Sequence, residues 1–132
     1  MITFANAKIN LGLNIVEKRS DGYHNLETIF YPIPLKDVLE IAKLDEDCTT
    51  PYTFQQTGFT VEGDPDKNLI IRAYKLLKDI YNLPPIKIAI HKNIPFGAGM
   101  GGGSADAAFM LKLLNEYFKL QITHATSACH FL

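Results

Sequence analysis

Five of the chain's nine glycines fall within seven consecutive positions, inside the run Pro95-Phe96-Gly97-Ala98-Gly99-Met100-Gly101-Gly102-Gly103-Ser104-Ala105-Asp106. An alternating apolar segment precedes the run and a helical pattern follows it, so the chain must pass from a strand through a glycine loop into a helix start. At such a junction backbone N–H groups can converge on an anion, because the first turn of a helix leaves its donors unpaired. Glycine removes the Cβ atoms that would obstruct the approach and permits positive φ. Ser104 is placed to serve as the N-cap of the helix that follows. Glycine runs also occur where a backbone merely turns or packs closely; the position ahead of a cap-forming serine points to phosphate.

Composition narrows the partners. A chain of 132 residues has the size of one domain, and 47% apolar with 20% charged residues is the balance of a globular protein. A net charge of −1 creates no field to attract nucleic acid or an anionic membrane. Cys48 and Cys129 have neither metal-binding nor redox spacing and read as free thiols. No apolar run reaches the roughly 20 residues that span a bilayer, and Asn6, Lys8, Asn10 and Asn14 interrupt any signal-like core. The expectation is a cytoplasmic protein that binds neither nucleic acid nor membrane.

The first half has strand periodicity. Residues 8–15 alternate, with Ile9, Leu11, Leu13 and Ile15 on one expected core face and Lys8 and Asn10 on the other. Ser20-Asp21-Gly22 marks a turn, residues 25–33 a second strand, residues 37–41 a third, and Phe59-Thr60-Val61 a short strand in an otherwise irregular stretch. The period then lengthens. Leu69, Ile70, Ala73, Leu76, Leu77 and Ile80 predict a helix capped by Asp66 or Asn68 and stopped by Asn82-Leu83-Pro84-Pro85. Residues 86–91 alternate as a strand, and Ala107, Ala108, Leu111, Leu114 and Phe118 define a face of a second helix. The pattern is α+β rather than a regular βαβ repeat.

Rival phosphate loops fit poorly. A Walker A loop requires lysine before Ser104, and none is there. Gly97, Gly99 and Gly102 satisfy G-x-G-x-x-G, but no acid follows Glu116 to hold a ribose. The VAIK, HRD and DFG segments of protein kinases are missing.

Residues 95–108, reading P-F-G-A-G-M-G-G-G-S-A-D-A-A, resemble the phosphate-binding motif of the GHMP kinases. Ala7-Lys8-Ile9-Asn10-Leu11, Asp21-Gly22-Tyr23-His24-Asn25-Leu26 and Asn68-Leu69-Ile70 extend the likeness over residues 8–120. The resemblance implies the N-terminal, ATP-binding domain of that family (ribosomal protein S5 domain 2-like), a mixed or antiparallel sheet with helices packed on one face. It implies MgATP-dependent phosphorylation of the 2-hydroxyl of a cytidyl diphosphate-linked methylerythritol, in non-mevalonate isoprenoid synthesis. Pro95, Gly97, Ala98, Gly99, Met100, Gly101, Gly102, Gly103 and Ser104 would wrap the triphosphate, with Ser104 on phosphate or on Mg²⁺ or acting only as a cap. Asn68 and Lys92 would line the adenine side, although by pattern alone Lys92 is a solvated strand-end lysine. Lys8 would be the catalytic cation, with Asn10 beside it, and Tyr23 and His24 would hold the cytosine.

Two departures from the family pattern set a second expectation. Members of this type are about twice as long, with a second domain that closes the cleft, and carry a Gly-Ala-Asp segment whose aspartate takes the acceptor proton. Residues 121–132 contain no acid; His124 and His130 there can titrate near neutrality, and Asp106 is expected to complement the helix dipole, or else to reach Mg²⁺. The alternative reading is therefore a truncated, inactive nucleotide-binding fragment, or a homodimer using its exposed face.

Overall fold

Two long strands, β1 (Ile2–Lys18) and β2 (His24–Lys43), form an antiparallel ribbon closed by the turn at residues 19–23. There the Gly22 N–H donates to Arg19 O and the Tyr23 N–H to Asp21 Oδ1. The computed structural model describes residues 1–45, 47–59 and 67–123. β3 (Tyr52–Gly58), α1 (Leu69–Tyr81), β4 (Ile86–Lys92) and α2 (Gly102–Phe118) complete it. The sheet order is β1-β2-β4-β3, with β2 and β4 antiparallel and β3 and β4 parallel. A parallel pair needs a crossover, and α1 supplies it. One βαβ unit thus sits inside the α+β fold.

Strand parity decides the core. In β4 Ile86, Ile88 and Ile90 turn toward the helices and are buried, as are Leu39 and Ile41 in β2. Ile70, Ile71, Tyr74 and Leu77 of α1, with Met110, Leu113 and Leu114 of α2, close over them. Tyr74 is fully buried, donates its hydroxyl to Pro51 O at 2.7 Å, and has its pKa pushed up to about 12 by desolvation. Asn68 is the N-cap of α1, accepting from the Ile70 N–H at 2.9 Å, and Asn82 ends the helix in the left-handed conformation.

Several expectations are corrected. The segments read as a second and a third strand are one strand, β2, because the prolines at 32 and 34 lie where β2 pairs with β1 alone, before its pairing with β4 begins at Val38. The irregular stretch holds its strand at Tyr52–Gly58; Phe59 falls just beyond it, and Thr60 and Val61 lie outside the described residues. Ile9, Leu11, Leu13 and Ile15 do not face the core: Leu13 is 58% and Ile15 62% exposed. The core side of β1 ends at Ala5 and Ala7, where a register shift lies between Asn6 and Lys8, and beyond it the ribbon's apolar side chains are exposed among the described residues. The buried stripe of α1 includes Ile71 and Tyr74 and leaves Ile80 exposed, and that of α2 uses Met110 and Leu113 while Ala108 faces out. Among the described residues, no helix is long and apolar enough to cross a membrane.

Candidate functional site

The glycine run leaves β4 and enters α2 as expected, but Ser104 is not the N-cap. α2 begins at Gly102 after the left-handed Gly101 (φ 70°), and no side chain caps it. The first bond of the helix runs from the Ala105 N–H to Gly101 O at 2.9 Å. The N–H groups of Gly102, Gly103 and Ser104 therefore have no partner within the helix. They open on a cleft of about 540 Å³ that the whole loop lines, together with Phe54, Gln56, Asn68, Lys92 and Asp106. Ser104 is exposed on the first turn, with its hydroxyl released from capping.

Two lysines bracket the loop. Lys8 donates its backbone N–H to Met100 O at 3.0 Å and its ammonium to Gly99 O at 2.9 Å and Asn10 Oδ1 at 2.7 Å. The same ammonium stands 5.1 Å from the centre of the Phe30 ring. On the opposite side Lys92 is buried, contrary to the solvated strand end suggested by pattern alone. It shares the inward parity of Ile86, Ile88 and Ile90 and passes under the start of α2, where a Cβ on Gly102 would lie 3.5 Å from its Nζ and 2.9 Å from Ile94 Cγ2.

That buried ammonium is held by two carboxylates, Asp37 Oδ2 and Asp106 Oδ2, the latter at 2.5 Å. Asp37 also accepts the N–H groups of Asn93 (2.6 Å) and Ile94 (2.9 Å) with Oδ1. Asp106 is 2% exposed, and its Oδ1 has no hydrogen-bond partner among the described residues. Burial pushes the Asp106 carboxyl up to about 7; the charge of Asp37 adds to the rise and the Lys92 ion pair opposes it. The expectation that Asp106 merely complements the dipole from the helix surface is thus corrected. Asp37 was not among the candidate residues at all, yet its parity with Leu39 and Ile41 marks it as inward-facing.

The remaining candidates do not converge on the cleft. Tyr23 and His24 sit at the ribbon tip, where His24 pairs with Lys18 and Tyr23 is 73% exposed. Ten residues of β1 separate Lys18 from Lys8, roughly 33 Å of extended chain. The tip carries its own open depression, lined by residues 17–21. Cys48 is a free, exposed thiol; His124, His130 and Cys129 lie outside the described residues. Among the described residues, no three His, Cys, Asp or Glu side chains gather as a metal site.

The site thus joins an uncapped helix start to a glycine loop, entered from a mixed sheet with both helices on one face. The pattern of the GHMP kinases N-terminal domain matches residues 68–129. The chain matches two curated relatives that carry one name. It is 62% identical over 122 residues to a 4-diphosphocytidyl-2-C-methyl-D-erythritol kinase of Bacteroides fragilis, a match covering 92% of this chain and 44% of that protein. It is 44% identical over 120 residues to the kinase of the same name from Chlorobium limicola, covering 90% of this chain and 40% of that protein. Among solved structures it is similar to a 4-(cytidine 5'-diphospho)-2C-methyl-D-erythritol kinase, with a TM-score of 0.76 and 33% identity over 97% of this chain and 44% of that one. A phosphomevalonate kinase from Streptococcus pneumoniae, solved with phosphomevalonate and AMPPNP, shares the fold at a TM-score of 0.59 and 19% identity, over 93% of this chain and 38% of that one. The chain spans about 44% of the length of the curated relatives it matches.

Proposed function

We propose that this chain is the nucleotide-holding, N-terminal domain of a kinase that transfers a phosphoryl group from MgATP to the 2-hydroxyl of 4-diphosphocytidyl-2-C-methyl-D-erythritol. The observation that carries the reading is the uncapped start of α2, whose N–H groups at Gly102, Gly103 and Ser104 open on the glycine-lined cleft. A triphosphate would fit there with its charge on the helix dipole and on bare backbone. Mg²⁺ arrives with ATP as part of the substrate, and the exposed hydroxyl of Ser104 is one protein oxygen available to it.

Phosphoryl transfer depends mainly on position and electrostatics. Lys8, tied to the loop through Gly99 O and steadied by Asn10, would place a cation on the loop face away from Lys92, where an acceptor hydroxyl can approach. Tyr23 and His24 would contact the cytidyl end, which demands an extended acceptor to reach the ribbon tip. In a version extended to the relatives' full length, Lys8→Ala is expected to abolish turnover while nucleotide affinity stays within about twofold. Unchanged turnover would remove Lys8 from the mechanism.

A second reading is supported by the chain's 44% coverage of its relatives and by the lack of any acid after Glu116. By that reading the 132 residues bind nucleotide without transferring phosphate. Mixing the chain with ATP and the acceptor decides between them: phosphorylated product excludes it, and nucleotide binding without product supports it.

A further inference from the structure

We propose that Asp37 is a positioning residue for the phosphate loop, fixing from β2 the point at which the loop leaves the sheet; the inference rests on the nucleotide reading above. The β2–β4 ladder runs from Lys43 and Ile86 to Val38 and His91 and stops there. One step further it would set Asp37 against Lys92. Instead the side chain of Asp37 takes over from the backbone. Its Oδ1 accepts the N–H groups of two consecutive residues, Asn93 at 2.6 Å and Ile94 at 2.9 Å. The Asn93 side chain donates to Lys36 O at 2.9 Å. Successive N–H groups of a strand point to opposite edges, so two of them on one oxygen turn the chain out of the sheet at this position.

The same carboxylate reaches the far end of the loop through Lys92, whose ammonium meets Asp37 Oδ2 and, at 2.5 Å, Asp106 Oδ2 of α2. Ile94, 1% exposed, stands against the start of that helix, where a Cβ on Gly102 would lie 2.9 Å from its Cγ2. Entry and exit of the loop are thus referred to one buried group on an element outside it. The stretch between has little packing to define it. Gly97, Gly99 and Gly101 are left-handed, and at Gly97 and Gly99 a Cβ would meet nothing within 4 Å. Such a backbone has the most freedom to lose when it closes on a phosphate. Lys8 holds its middle, at Gly99 O and Met100 O, and Asp37 holds its root. With the root fixed, the loop's donors are arranged before the ligand arrives.

The test is calorimetric titration with inorganic tripolyphosphate and, separately, with ATP, well below the melting temperature of each variant. Asp37→Asn keeps an oxygen that accepts the two N–H groups and gives up the charge; Asp37→Val keeps the shape and gives up both. Asp37→Val is expected to weaken tripolyphosphate and ATP alike, each by about tenfold, the cost of re-ordering roughly one residue of backbone on binding. Asp37→Asn is expected to hold both within about threefold of wild type. A carboxylate that served folding alone would lower the melting temperature of both variants and leave every affinity at its wild-type value, which overturns the proposal. A loss of about tenfold in Asp37→Asn overturns it too, because the effect then belongs to the charge on Lys92, as does a loss confined to ATP. If Asp37→Val does not fold, Asp37→Glu replaces it: the charge stays while the acceptor moves by one methylene from the two N–H groups, and the same losses are expected. Wild-type chain that binds neither ligand would overturn the nucleotide reading itself, a result distinct from wild-type binding that these substitutions leave intact.

Discussion

Lys8 and Gly101 compete for one volume: a Cβ added to Gly101 would stand 3.1 Å from Lys8 Cε. Gly101 also holds φ at 70°, where an L side chain costs about 1–2 kcal/mol. Gly101→Ala is therefore expected to destabilise the chain by about 1–2 kcal/mol in urea titration. It is also expected to weaken tripolyphosphate binding by about tenfold, since the loop and the lysine shift together. A substitution that leaves both quantities unchanged would show that the loop tolerates the side chain.

The buried carboxyl of Asp106 makes stability depend on pH with a definite sign. Its value rises from 3.8 in the unfolded chain to about 7 in the folded one, so the folded state binds the proton more tightly. Stability from this group is then largest below pH 4, falls as pH rises from about 4 to about 7, and is level above. Urea titrations of wild type and Asp106→Asn across that range are expected to differ by an amount that declines with rising pH. A constant difference would mean that Asp106 is ionised at the same pH in both states.

Apolar residues on the two parts of the sheet carry unequal weight. Ile88, fully buried between the helices, is expected to cost about 2–5 kcal/mol as Ile88→Ala. Ile15, 62% exposed on the ribbon, is expected to change stability by no more than about 0.5 kcal/mol as Ile15→Thr, which keeps the β-branched shape. Chemical denaturation of the two variants checks the pair, and a comparable loss at Ile15 would place a hidden contact on the ribbon.

The same strand logic separates what could be read from residues alone from what could not. The glycine loop, the alternation of β4, the Asn68 cap and the Asn82 stop are local signals, and each lies where its residues predict. Alternation along β1 announces two faces but is silent on which one another element covers. Ile9 to Ile15 were accordingly assigned to a core that lies elsewhere. The burial of Lys92 is legible in the sequence, because the period that buries Ile86, Ile88 and Ile90 buries position 92 as well, although a strand-end lysine taken alone reads as solvated. Asp37 obeys the parity of Leu39 and Ile41, yet nothing in one sequence tells that its charge meets a lysine 55 residues away. Ser104 is not the cap because a left-handed Gly101 starts the helix three residues before a serine cap would.

The span of the buried cluster also bears on how the chain is made. During synthesis Asp37 emerges well before the lysine that neutralises it, 55 residues later, and Asp106 follows after another 14. Until then the residues of the β1–β2 ribbon are complete but include an unpaired acid on the side that becomes interior. That acid opposes premature burial of Leu39 and Ile41 against any surface lacking a cation. The buried charges thus tie burial of the ribbon's interior side to the arrival of β4 and its lysine.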